Sequence, residues 1–174
     1  MGNNKDRALT VLPLKIYIGT QTGRSYLLAY NYPQKETRFY RLDRIRDIYA
    51  LNEEKKYEKY LSLAEEKVKN CWGVSHPQTA EEKELDRIEL IIHVGDREEY
   101  IIRRLEREKR GGKVERIDDS SFRFTIEVTD ASELFPWLRT FIGRIVRFRC
   151  SNPAVTRRFF DDIREMAEDY GGSV

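Results

Sequence analysis

Cysteine is nearly absent from this chain of 174 residues: Cys71 and Cys150 stand far apart, with no CxxC pairing. That spacing excludes a zinc ribbon or a disulfide framework and points to a reducing cytoplasm. Histidine is equally rare, and neither His76, in a linker, nor His93, on the polar face of a strand, has a metal partner at useful spacing, so neither metal nor cofactor is expected. No stretch approaches the roughly 20 apolar residues of a membrane helix. Residues 1 to 8 are polar, unlike a signal peptide, and a soluble, cytoplasmic protein without membrane contact is expected. An excess of one charge is also missing, since 32 basic residues face 30 acidic ones for a net charge of +2. With 40% apolar residues, that balance describes a globular protein and excludes a disordered one. GxSxG, HExxH and Walker A sequences are lacking and neither cysteine has a histidine nearby in sequence, so no enzyme is expected. There is no internal repeat.

What is present is arginine and tyrosine at strand spacing. Arg24-Ser25-Tyr26-Leu27-Leu28-Ala29-Tyr30 is followed by Arg38-Phe39-Tyr40-Arg41-Leu42-Asp43-Arg44-Ile45. Alternate strand residues share a face, so Arg38 and Tyr40 point one way while Phe39 and Arg41 point the other. Between Lys15 and Ala50 seven cations meet three acids, a local charge of +4 against +2 for the whole chain. Leu12, Leu14, Ile16 and Ile18 alternate with Pro13, Lys15 and Tyr17 as a strand. Gly19 to Gly23 supply a hairpin turn, Ser25 to Tyr30 reads as a central strand, and Thr37 to Leu42 as a third. Ile45 to Leu51 is expected to be a short fourth strand after a bend at Asp43-Arg44. Together these suggest a small, curved sheet or barrel.

From Glu53 to about Cys71 the composition turns to Lys, Glu, Leu and Ala. Tyr57, Tyr60, Leu61, Ala64 and Val68 fall at helical spacing, predicting an amphipathic helix. Its end is marked by Trp72-Gly73, and the polar stretch Ser75 to Glu84, with Pro77, is the expected domain boundary. Thereafter the pattern reads as a strand over 88–94, a helix from about Arg97 to Lys109, a strand near Val114 to Ile117, and a hairpin turn at Asp118 to Ser121. A cleanly alternating strand follows over 122–128. Asp130 with Glu133 suggests a capping box for a helix carrying Leu134, Trp137, Leu138 and Phe141, in which Pro136 requires a kink or a late start. Ile145, Val146 and Phe148 sit among arginines in a strand. Asn152-Pro153 opens a last helix, since Asn caps and Pro suits the first helical position. The order βαββαβ plus a helix is the ferredoxin-like arrangement, and the fold class expected overall is α+β.

The line from Leu12-Pro13-Leu14 through Tyr26-Leu27 to Arg38–Ile45 resembles the WYL domain of bacterial transcriptional regulators. The second half resembles that family's C-terminal extension at Tyr100-Ile101, Gly111-Gly112, Phe122-Arg123-Phe124, Glu133-Leu134, Trp137-Leu138 and Asn152-Pro153. The resemblance implies an Sm-like or SH3-like β-barrel over residues 1–52, with its first strand missing, a helix and linker over 53–86, and the ferredoxin-like extension over 87–174. It also implies an N-terminal winged helix that binds duplex DNA; none is seen, and a trimmed fragment is expected. Ser25 stands where the motif has tryptophan, while Tyr26 and Leu27 keep its pattern.

The function implied is sensing: binding of a regulatory ligand, single-stranded DNA or RNA or another anion, by a region that also forms a homodimer. The residues implied are Tyr26, Arg38, Arg41 and Arg44, with Arg24 beside them. Arginine offers phosphate two parallel hydrogen bonds, and an unpaired base can stack on an aromatic ring or a guanidinium plane. The plain alternative is that these arginines are solvated or paired with Glu36, Asp43 and Asp47. Arg144, Arg147 and Arg149, with Arg157 and Arg158, form a second candidate basic patch. The cluster Arg103, Arg104, Arg107, Lys109 and Arg110 is interleaved with Glu106 and Glu108 and reads as a mixed-charge helix surface. Competing readings are a metabolite sensor using the extension, or a dimerisation module alone.

Overall fold

The computed structural model describes residues 8–19, 23–74 and 84–171. The chain divides into two compact units, Met1–Glu82 and Lys83–Val174. The class is α+β: among the described residues there are two antiparallel sheets, of three and four strands, and four α-helices. The polar stretch read as the domain boundary, with His76, falls almost entirely outside the described residues.

The first unit is a three-stranded meander in the order β1 (Val11–Ile18), β2 (Ser25–Asn31), β3 (Glu36–Arg41). β2 is central, in keeping with its apolar run. A 3-10 turn at Leu42–Arg44 follows, and then the helix α1 (Tyr57–Val68). One sheet face packs on α1. Leu14, Leu28 and Ala64 are buried at the centre of this core, with Leu12, Tyr30, Phe39, Tyr57, Tyr60, Leu61 and Val68 against them. The helical spacing of α1 thus sets its buried stripe. The helix starts later than Glu53 because Glu54 is engaged elsewhere: its carboxylate accepts the Lys56 amide at 2.8 Å and the Tyr32 hydroxyl at 2.7 Å. Tyr57 then ties α1 to β1, its hydroxyl donating to the Leu14 carbonyl at 2.8 Å.

Two expectations are corrected here. Leu12, Leu14, Ile16 and Ile18 do not share a face, because the register shifts between Pro13 and Lys15. This β-bulge adds one residue and inverts the alternation that follows. Tyr17 is therefore packed on the core, while Ile16 and Ile18 are turned to the other face and are 61% and 69% exposed. Second, Ile45 to Leu51 forms no strand. Its residues favour extended structure, yet a strand exists only where a neighbour takes its backbone hydrogen bonds. Among the described residues no strand pairs with it.

In the second unit the order of elements is β4 (Asp86–His93), α2 (Glu99–Glu108), β5 (Lys113–Arg116), β6 (Ser121–Val128), α3 (Phe135–Arg139), β7 (Ile145–Cys150) and α4 (Pro153–Asp169). The sheet order is β5-β6-β4-β7, every neighbour antiparallel. Ile88, Leu90 and Ile92 of β4 meet Ile126, Phe124 and Phe122 of β6 on one face, as their alternation dictates. Phe159 of α4 is fully buried, with ring centroids 4.6 Å from Phe148 and 5.4 Å from Phe135. Asn152 caps α4 as expected, accepting the Ala154 amide at 3.1 Å ahead of Pro153. Pro136 has the effect its missing N–H requires: a 3-10 turn covers Ala131–Leu134, and α3 starts only at Phe135. Asp118 closes the β5–β6 hairpin by accepting the amides of Ser120 and Ser121 at 2.9 and 2.8 Å.

Glu108, at the end of α2, joins α2 to α3. Its carboxylate accepts the Trp137 indole N–H at 2.9 Å, the Arg104 Nε at 3.1 Å and an Arg107 Nη2 at 3.2 Å. Burial alone pushes this carboxyl up, but the indole and the two arginines together hold it below the usual glutamate range. Arg104 continues the network, donating to Thr140 Oγ1 at 2.7 Å and lying 4.8 Å over the Phe141 ring.

Candidate functional site

The register of the first sheet decides which candidate residues meet. Tyr17 of β1 stands opposite Tyr26 of β2, and Tyr26 stands opposite Arg41 of β3. Opposed residues of an antiparallel pair share a face, so these three form one row across the sheet. Phe39 supports the row from below, with ring centroids 5.5 Å from Tyr17 and 6.5 Å from Tyr26, both edge to face. Tyr26 is half-buried, with its pairing to Arg41 at the C-terminal end of β3.

Arg41 makes a two-pronged contact with Asp43, Nε to Oδ1 at 3.0 Å and Nη2 to Oδ2 at 2.5 Å. Leu42–Arg44 is a 3-10 turn, and its tight rise brings Asp43 back over the end of the strand it has just left. The Arg41 guanidinium holds the Asp43 carboxyl below its ordinary range, and the charges of Arg24 and Arg44 lower it further. Arg41 is correspondingly raised, chiefly by Asp43 and in part by Tyr26. Three arginines, Arg24, Arg41 and Arg44, therefore surround one carboxylate next to Tyr26. A guanidinium holding a carboxylate in its fork is chemically poised to hold phosphate the same way.

Arg38 is not part of this group. It pairs in register with Ala29, on the face away from α1, and forms an ion pair with Glu36 at 2.5 Å. Tyr40 shares that face and accepts a hydrogen bond from the buried Asn31 amide at 2.7 Å. The sheet thus brings Tyr26, Arg24, Arg41 and Arg44 together and sends Arg38 to the opposite side. Tyr17 joins the row although sequence alternation placed it away from the core, because no residue type announces the bulge at Leu14.

The second patch also divides. Arg144 precedes β7 and is braced against Glu98, whose other oxygen accepts the Gly95 amide at 3.0 Å. Arg147 and Arg149 lie on the face of the second sheet that carries Glu89, Arg123 and Thr125. There Glu89 lies 3.4 Å from Arg123 and 4.0 Å from Arg147, with Arg149 opposite it in register. Arg158, itself exposed, lies 5.9 Å over the Phe135 ring. Among the described residues no cluster of three or more His, Cys, Asp or Glu has metal-binding geometry, and no helix is long and apolar enough to cross a membrane.

The fold and this site define an α+β protein with a basic and aromatic row at one end of a small antiparallel sheet. The family model described as WYL domain matches residues 1–50, a span that holds β1 to β3, the 3-10 turn and every residue of the row, and this part of the chain is similar to a WYL domain. WYL domains are generally found in regulators that sense ligands and are linked to nucleic acid. No curated protein matches the chain.

Proposed function

We propose that this chain is the ligand-sensing and oligomerisation region of a bacterial, cytoplasmic transcriptional regulator, and that it binds single-stranded nucleic acid through Tyr26, Arg24, Arg41 and Arg44. The observation carrying this reading is the convergence of three arginines on Asp43 beside an aromatic row. A backbone phosphate takes the place of the Asp43 carboxylate in the Arg41 fork, Arg24 and Arg44 neutralise its neighbours, and a base stacks on Tyr26 for about 1 to 3 kcal/mol. Such binding requires no nucleophile, so the region acts without catalysis. Ligand occupancy is relayed to a DNA-binding partner domain, and the region works as a homodimer.

The meander followed by a 3-10 turn supports an Sm-like barrel over residues 1–52. The antiparallel order β5-β6-β4-β7 supports a ferredoxin-like fold for 87–174, with 53–86 joining them. The test is fluorescence anisotropy of a short labelled single-stranded DNA titrated with the chain at two salt concentrations, with duplex DNA and RNA as controls. Saturable binding that weakens with salt and is weaker still in Arg41→Ala is expected, because counterion release makes nucleic-acid affinity fall with salt. No binding at low salt would overturn the reading in favour of a metabolite sensor or a dimerisation module.

A further inference from the structure

Among the described residues the second sheet has two edge strands, β5 and β7, and their chemistry differs. The Ile117 N–H donates to the Ser121 carbonyl at 2.9 Å. Hydrogen-bonded pairs alternate along an antiparallel ladder, so Glu115 and Lys113 also turn their backbone groups to β6, opposite Arg123 and Thr125. The N–H and C=O of Val114 and Arg116 therefore point away from the sheet, and among the described residues no strand lies beyond them. Such an edge is a template for strand addition. β7 is guarded against it. The Cys150 N–H is taken by Thr156 Oγ1 at 2.9 Å, the register shifts beside Val146, and a second copy paired about Arg147, Phe148 or Arg149 would set arginine against arginine.

We infer that β5 pairs with β5 of a second copy of this chain, antiparallel about a two-fold axis through Val114, joining two four-stranded sheets into one. A symmetric antiparallel pair places one residue opposite itself, and the charges of β5 leave one choice. With Val114 on the axis, its outward N–H and C=O bond those of the partner's Val114. Lys113 then faces the partner's Glu115, and Glu115 faces the partner's Lys113. Within one strand Lys113 and Glu115 already lie 2.6 Å apart, on the face away from Phe124. The four side chains thus form a square of alternating charge. Arg116 meets the partner's Gly112, which has no side chain to crowd it. An axis through Lys113, Glu115 or Arg116 would instead set like charges directly opposite, which is unfavourable. The edge is complementary to itself in one register, as a two-fold contact demands, and the guarded β7 edge keeps the pairing from propagating. β5 is four residues long, so the contact is small and the dimer is a concentration-dependent one. This inference deepens the homodimer of the reading above and rests on it.

Sedimentation velocity of the whole chain across a concentration series tests it. The 20.7 kDa monomer should shift reversibly toward twice that mass. Lys113→Glu sets acid against acid at two points, Glu115→Lys sets base against base, and each alone should weaken self-association about ten-fold. Mixed in equal amounts, the two variants oppose Glu and Lys at both points, and the mixture should associate as tightly as the parent. Val114→Pro removes an N–H that points away from the sheet, a position where an edge strand tolerates proline, and should leave the chain monomeric with unchanged circular dichroism. A dimer of parental strength in all three variants would overturn the inference while leaving the homodimer standing. A chain monomeric at every concentration would overturn both.

Discussion

The contact between Arg41 and Asp43 makes Asp43 an internal competitor for the proposed phosphate, and this gives the sharpest test of the site. Asp43→Asn keeps the side chain's shape but removes its charge, so the Arg41 fork no longer holds an anion. The carboxylate is 59% exposed, and the exchange should leave the fold intact. Single-stranded nucleic acid releases counterions with a slope of about −0.7 in log K against log salt for each phosphate neutralised. Freeing one guanidinium should therefore steepen the slope by about 0.7. Across a four-fold rise in salt the variant should lose about 2.6-fold more affinity than the parent, from a tighter starting point at low salt. Anisotropy titrations of both proteins at four or five salt concentrations give the two slopes directly. Equal slopes and equal low-salt affinities would mean that Arg41 and Asp43 form only a strut and that phosphate does not enter the fork.

Three further outcomes are expected. Arg41→Ala should weaken oligonucleotide binding about 10- to 150-fold, a charge-assisted bond being worth roughly 1.5 to 3 kcal/mol, while Arg38→Ala leaves it unchanged from the opposite face; the reverse ranking in the same titration would move the site across the sheet. Glu108→Gln should destabilise the chain most at neutral pH. Its carboxyl is lowered in the folded state, so its contribution is complete above the ordinary glutamate range near pH 4.3 and is lost as pH falls through the lower folded value; urea unfolding at pH 7 and pH 3 should show the difference shrinking on acidification. Gly112→Ala would set a methyl carbon 2.3 Å from the fully buried Phe124 ring and 2.9 Å from the Thr125 carbonyl, and should cost about 1 to 3 kcal/mol in denaturant unfolding.

Much of the second unit was legible because local chemistry and long-range packing agree there. Asn152 and Pro153 start α4 where a cap and a proline must, and the alternation of Phe122, Phe124, Ile126 and Val128 matches the face they bury. The first unit was read less completely, for reasons that lie between strands. Ile45 to Leu51 has strand composition, but a strand is a relation between two segments, and composition describes one. The candidate site was legible as a list of residue types. Its membership was not, because the sorting of Arg41 from Arg38 depends on the period of two, and the entry of Tyr17 depends on one inserted residue. Asp43 could be named beforehand as a possible partner for arginine, yet its grip on Arg41 depends on the 3-10 turn that folds it back.

That inserted residue has a consequence for how this sheet could evolve. With an unbroken alternation, β1 would have offered its helix an aliphatic stripe of Leu12, Leu14, Ile16 and Ile18, and a phenol ring would have faced outward. The bulge cuts the stripe after Leu14 and delivers Tyr17 to the arginine end instead. Pairing Leu14 directly with Leu28 would restore the stripe and set Ile16, in place of Tyr17, opposite Tyr26. The strand therefore holds two competing registers one residue apart, a tighter core or an aromatic neighbour for Tyr26 and Arg41, and this chain carries the second.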